Sequence, residues 1–236
     1  MKTQNQHLHL ADSRGVADHG WLKSRHTFSF AGYYEEDRMQ FGAIRVLNDD
    51  EVSGGQGFGL HPHNNMEIIS IPLEGELVHK DSMGNETTIK TGEIQVMSAG
   101  TGVKHSEYNK NADAQVKFLQ IWVLPNKRNV TPRYDQRTFS AENMHNNLLQ
   151  ILSPNASDNN VWIHQDAWFS IAKFDQGHSV AYNVKKEGNG VYILVLEGSI
   201  EVNGQLLNRR DGLGITGEEV MSINAVSNTQ FLLMDV

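Results

Sequence analysis

Short apolar stretches bounded by Gly, Asn and Asp recur along the chain, while long helical periodicity is scarce. Gly42–Leu47, Glu67–Pro72, Gly75–His79, Glu93–Met97, Val116–Leu124, Val191–Leu196, Ser199–Val202 and Gln230–Met234 all read as strands. Asn203-Gly204 is a two-residue hairpin turn, and Met83-Gly84-Asn85 marks another turn. Many short strands at regular spacing predict an all-β chain of antiparallel barrels or sandwiches.

A weak internal repeat favours two barrels. Leu73-Glu74-Gly75 opens a hairpin that closes near Gly92, and Leu196-Glu197-Gly198 opens one that closes near Gly212. The stretch from Pro125 to Asn160, rich in Asn, Ser and Asp, reads as the connection, with a short helix expected over Ala141–Leu152. The boundary is placed near residue 140, giving an N-terminal barrel over residues 1–139 and a C-terminal one over 140–236.

Composition narrows the partners. At 236 residues the chain can bury a substantial core, and a net charge of −8 disfavours broad attraction to nucleic acid or anionic lipid. There is no cysteine, which excludes disulfides, thiolate metal sites and a cysteine nucleophile, and suits a reducing cytosol. The first twenty residues contain no apolar signal-peptide core, and the longest aliphatic-aromatic run, Val191 to Leu196, is far short of a membrane span. The expectation is a soluble cytoplasmic protein.

The chemistry concentrates in two pairs, His61-Pro62-His63 and His105-Ser106-Glu107. Residues at i and i+2 of a strand share a face, so each pair offers two metal ligands side by side. Pro62 cannot donate to a ladder, which places the first pair on an edge strand or a barrel rim. Each pair follows a glycine-rich turn, Gly54-Gly55-Gln56-Gly57-Phe58-Gly59 and Ser98-Ala99-Gly100-Thr101-Gly102. Three imidazoles and a carboxylate, without sulfur, suit Fe(II), Mn, Co, Ni or Cu, with positions left open for chemistry. Glu67 is a second carboxylate, read either as a surface strand residue or as a partner for an imidazole N–H. His79, His26 and His19 are further pocket candidates, whereas His7-Leu8-His9 reads as exposed polar sequence near a terminus.

Other chemistries fit less well. The glycine cluster lacks a strand–GxGxxG–helix context and a GK[ST], and no Gly-x-Ser-x-Gly elbow occurs. The repeat provides an internal control: the positions corresponding to the two pairs are Val184, Lys186, Ala225 and Ser227, none a usual metal ligand. A metal site would therefore belong to the N-terminal barrel alone.

Several motifs identify a resemblance. Arg25-His26-Thr27-Phe28-Ser29-Phe30-Ala31, Arg45-Val46-Leu47-Asn48-Asp49-Asp50 and Gly57-Phe58-Gly59-Leu60-His61-Pro62-His63-Asn64-Asn65-Met66-Glu67 resemble the pirin family. So do His79-Lys80-Asp81-Ser82-Met83-Gly84-Asn85 and the segment from Met97 to Tyr108. The similarity is dense from about residue 14 to 137 and is greatest toward bacterial pirin-like proteins described as quercetin 2,3-dioxygenases.

The resemblance implies a bicupin, two antiparallel barrels face to face with a short helix in the connection. It also implies one divalent transition metal, Fe(II) above Mn, Co, Ni, Cu or Zn, on His61, His63, His105 and Glu107. The general cupin pattern would put the carboxylate near Glu67; the pirin pattern favours Glu107. The implied activity is opening of the heterocycle of a flavonol such as quercetin by O₂, with Glu107 as the group that takes the substrate proton. The alternative is a metal-dependent sensor or a transcriptional cofactor-like interaction module.

Overall fold

A computed structural model of the chain describes residues 5–236, and they form two compact units. One contains residues 15–139 together with 154–165, and the other residues 5–14, 140–153 and 166–236. No helix among the described residues is long and apolar enough to cross a membrane.

The first unit has a seven-stranded antiparallel sheet in the order Arg133–Thr138, Glu93–Ser98, Glu67–Glu74, Val116–Val123, Ile44–Val52, Leu22–His26 and Gly15–Asp18. Its second sheet has four strands, ordered Gly57–His63, Val103–Asn109, Glu76–Asp81 and Glu86–Lys90. The His61 strand thus lies at a sheet edge, where Pro62 removes no internal ladder bond.

In the other unit, Asn5–His9, Gly212–Thr216, Val191–Glu197, Thr229–Asp235, Trp168–Phe174 and Leu149–Ser153 are neighbours in that order. A four-stranded sheet, ordered Ser179–Asn183, Val220–Ala225, Ile200–Val202 and Gln205–Leu207, accompanies them. Asn203 and Gly204 take φ of 48° and 84°, the left-handed pair that a two-residue hairpin turn requires.

Two local expectations are corrected. The helix is confined to Ala141–Met144, capped by Ser140, because Asn146 turns left-handed at φ 49° and Leu149–Ser153 pairs with Trp168–Phe174 as a strand. His9 is buried, its Nδ1 2.9 Å from the Tyr192 hydroxyl, because Asn5–His9 pairs with Gly212–Thr216.

The interiors of the two units differ in kind. The unit containing the C-terminal strands is filled by Phe174, Ile193, Val195, Leu213, Ile223, Phe231 and Leu233. In the unit containing His61, period-2 alternation runs from apolar to polar and back. Phe118, Gln120 and Trp122 follow one another on one strand face, as do Leu22, Ser24 and His26 on another. Smaller apolar clusters here gather around Leu77 and Phe118 and around Ile68 and Met97. Buried Asn48, Asp50, Ser70, Gln95, His105, Glu107 and Gln120 complete the interior.

Gly57 pairs with Tyr108, and a Cβ there would strike the Glu107 carbonyl oxygen. A Cβ on Gly59 would meet only the Tyr108 hydroxyl, at 3.8 Å, an ordinary contact. Gly57→Ala should therefore cost about 1–3 kcal/mol in urea unfolding through overpacking, and Gly59→Ala no more than about 0.5 kcal/mol.

Candidate metal centre

Strand register assembles the site. In the four-stranded sheet His105 stands opposite His61 on one side and Asp81 on the other, and Glu107 stands opposite His79. The pairs His61/His63, His105/Glu107 and His79/Asp81 each share a face by the period of two. Between His105 and Glu107 the register with the edge strand slips, so that Glu107 faces Phe58. Such a bulge re-aims side chains locally.

His61, His63 and His105 converge: a ring nitrogen from each lies within 4.8 Å of those of the other two. Their ring centroids are 4.9 Å apart for His61 and His63, 4.4 Å for His61 and His105, and 4.9 Å for His63 and His105. The nitrogens are prepared for a cation. His61 Nδ1 is 2.7 Å from the Gly59 carbonyl oxygen, which can only accept, so the proton sits on Nδ1 and Nε2 is left bare. His63 Nε2 and His105 Nε2 are buried without a hydrogen-bond partner.

Burial, assisted by the charge of His61, pushes His63 down to about 4. Burial and the neighbouring His61, His63 and His79 push His105 down to about 2. His63 and His105 are thus kept neutral, the form that coordinates metal. The donor set and its unpartnered buried nitrogens fit a borderline divalent cation.

Glu107 is brought to the same interior but groups with His79 and His105 rather than with His61 and His63. Gln120 Nε2 donates to Glu107 Oε2 at 2.7 Å, and the Ser70 hydroxyl is 3.0 Å from both Glu107 Oε1 and Gln120 Oε1. Ser70 has one proton to give, so a proton on Glu107 would satisfy both contacts. Burial pushes Glu107 up to about 7 against the opposing hydrogen bonds from Ser70 and Gln120. A carboxyl so poised can hold or release a proton near neutrality.

Around this group, Trp122 packs edge-on against His63 at 4.9 Å and Phe30 against Trp122 at 5.4 Å, giving the centre an aromatic wall. The Trp122 indole N–H is buried without a partner.

Of the other sequence candidates, His79 is wholly buried beside His105, whereas His26 is buried against Phe30 and His19 is exposed. Glu67 is buried rather than at the surface. It accepts the Ser98 hydroxyl at 2.6 Å and is attracted by Arg133. A carboxylate that does meet an imidazole of this interior is Asp81, whose Oδ2 is 3.0 Å from His79 Nε2. Sequence reading missed it, although its i+2 spacing from His79 is the same signal that exposed the other pairs.

Comparison with known proteins agrees with the fold. The family model described as Pirin matches residues 8–123, and that described as Quercetinase C-terminal cupin domain matches residues 150–236. Quercetin 2,3-dioxygenase of Escherichia coli K12 is 44% identical over 234 residues, covering 98% of both chains. A pirin-like protein of Caulobacter vibrioides is 38% identical over 95% of this chain and 96% of its own. Among solved structures, bacterial pirin YhhW of Escherichia coli in complex with nickel(II) superposes with a TM-score of 0.93 at 42% identity, covering 98% of this chain and 99% of that one.

Burial pushes Glu67 up from 4.5 to about 7, although Ser98, Arg133 and a backbone N–H oppose it. Below pH 4.5 the side chain is protonated folded or unfolded and carries no penalty. As pH rises toward 7 the unfolded chain ionises first, so stability falls. Between pH 4.5 and 7.5, wild type should lose about 3 kcal/mol more stability than Glu67→Gln in paired urea titrations. Parallel curves for the two proteins would remove Glu67 from the pH response.

Proposed function

The chain belongs to the pirin family, and from that premise we propose that it is a metal-dependent dioxygenase opening the heterocycle of a flavonol such as quercetin with O₂. His61, His63, His105 and Glu107 are the proposed ligands. The observation that carries this is the convergence of three imidazoles, two of which, His63 and His105, bury Nε2 atoms that have no protein partner. Burying such a polar atom unmatched costs about 1–3 kcal/mol, which a bound cation removes.

When bound, a borderline divalent metal supplies Lewis acidity toward a substrate hydroxyl and leaves positions for small ligands. The side chains supply the rest. Glu107 is the proposed catalytic residue: it takes the proton of the flavonol hydroxyl on its carboxylate, while Ser70 and Gln120 hold that carboxylate in place. Trp122 and Phe30 give a flat apolar wall suited to an aromatic, hydroxylated substrate. Fe(II) is the proposed metal, with Mn, Co, Ni, Cu and Zn as competitors; the nickel(II) complex is that of the Escherichia coli relative.

The functional boundary is proposed near residue 140, with the metal barrel on its N-terminal side and a barrel without ligands over 140–236. Both metal-competent groups found among the described residues lie before residue 140. A monomer in the cytoplasm is the proposed setting; the absence of cysteine suits a reducing compartment.

Oxygen uptake with metal-loaded protein and quercetin tests the reading. Uptake should depend on metal and fall at least about 100-fold in His61→Ala, the scale on which positioned catalytic groups act. Equal uptake in His61→Ala would reject the site, and metal binding without uptake would leave a binding module. For Glu107→Gln with its metal content intact, slowed turnover is expected; unchanged turnover would exclude the proton-transfer role.

A further inference from the structure

His105 has a second contact besides the one it offers a metal. Its Nδ1 lies 3.4 Å from His79 Nδ1, and His79 Nε2 lies 3.0 Å from Asp81 Oδ2. His79 and His105 are fully buried, and the Asp81 side chain is shielded from solvent. Asp81 also accepts the backbone N–H of Met83 at 2.9 Å and of Asn85 at 3.1 Å on Oδ1, and the Asn85 side-chain amide at 2.8 Å on Oδ2.

Hydrogen accounting fixes the chain of protons. Three of the groups around Asp81 are N–H donors, so the carboxylate acts purely as an acceptor and His79 Nε2 must carry the fourth donated hydrogen. A neutral His79 then has a bare Nδ1. Two imidazole nitrogens facing each other share one hydrogen, which must come from His105 Nδ1. His105 is thereby left with a bare Nε2, the buried atom for which the protein provides no partner.

We propose that Asp81 and His79 form a positioning pair that locks His105 in the Nδ1–H tautomer and so presents its Nε2 to the metal. Two three-residue groups share His105: His61–His63–His105 and His79–His105–Glu107. The pair decides between them, because both nitrogens of His79 are already engaged and His79 is a support rather than a ligand. A carboxylate or carbonyl commonly orients a metal-bound histidine; here an intervening imidazole performs that role, passing the orientation set by the Met83–Asn85 turn to the metal centre. The tautomer is a property of the metal-free protein, and only its consequence for affinity rests on the metal reading above.

Nitrogen-15 NMR of the metal-free full-length protein reads the tautomers directly. His105 should show protonated Nδ1 and bare Nε2, and His79 protonated Nε2. Asp81→Asn can keep its carbonyl on the turn N–H groups and present its NH₂ to His79, reversing the relay. His105 should then move to Nε2–H, and nickel(II) affinity measured by calorimetry should weaken about 10–100-fold. His79→Phe should weaken nickel to a similar degree, whereas His79→Asn, with an amide oxygen near the position of Nδ1, should recover most of the affinity.

A bare His105 Nδ1 in the wild-type protein would overturn the proposal. So would nickel affinity unchanged in His79→Phe, a folded variant of the ligand-intact site. Wild-type protein that shows the expected tautomers yet binds no nickel would instead reject the metal reading and leave the relay standing.

Discussion

A buried lone pair that finds no hydrogen is the constraint on which this molecule turns. An interior histidine nitrogen must be matched or its desolvation goes uncompensated. In the N-terminal barrel His63 and His105 each bury an Nε2 that no protein group meets, while the opposite nitrogen of His105 is tied back through His79. The protein satisfies the outer side of the cluster and leaves the inner side open. An open inner side of this kind fits a cation that accepts several imidazole lone pairs at once.

The contrast between the two interiors shows that this is a choice of sequence on a common architecture. One barrel closes over Ile193, Val195, Leu213, Phe231 and Leu233. The other interrupts the same kind of apolar alternation with Ser70, Gln95, Gln120 and the histidines. Its apolar packing includes separate clusters around Leu77 and around Ile68. Part of the polar belt is satisfied internally, as Ser70, Gln120 and Glu107 hydrogen-bond one another. The edge position of the His61 strand and the close approach at Gly57 bring the first pair against the second.

Local period-two patterning made much of this visible in advance. His-x-His and His-x-Glu declare a shared face without any knowledge of tertiary structure, and Asn203-Gly204 declares its hairpin in the same way. What patterning could not supply was non-local. Glu67 reads as a surface carboxylate until Ser98 and Arg133 are placed beside it. His9 reads as exposed until its strand joins one contributed by residues 212–216. The Asp81–His79–His105 chain depends on which strands are neighbours, and register with Val103–Asn109 is what reveals it. The expected helix stopped early because Leu149–Ser153 was needed as a strand, an instance of tertiary pairing overriding local preference.

Anomalous diffraction at the nickel edge, from crystals of the nickel-loaded protein, tests the central claim most directly. One peak is predicted, bonded to Nε2 of His61, His63 and His105 and to a carboxylate oxygen of Glu107, with His79 unligated and still on Asp81. A peak bonded by His79, His105 and Glu107, or none in the N-terminal barrel, would contradict it.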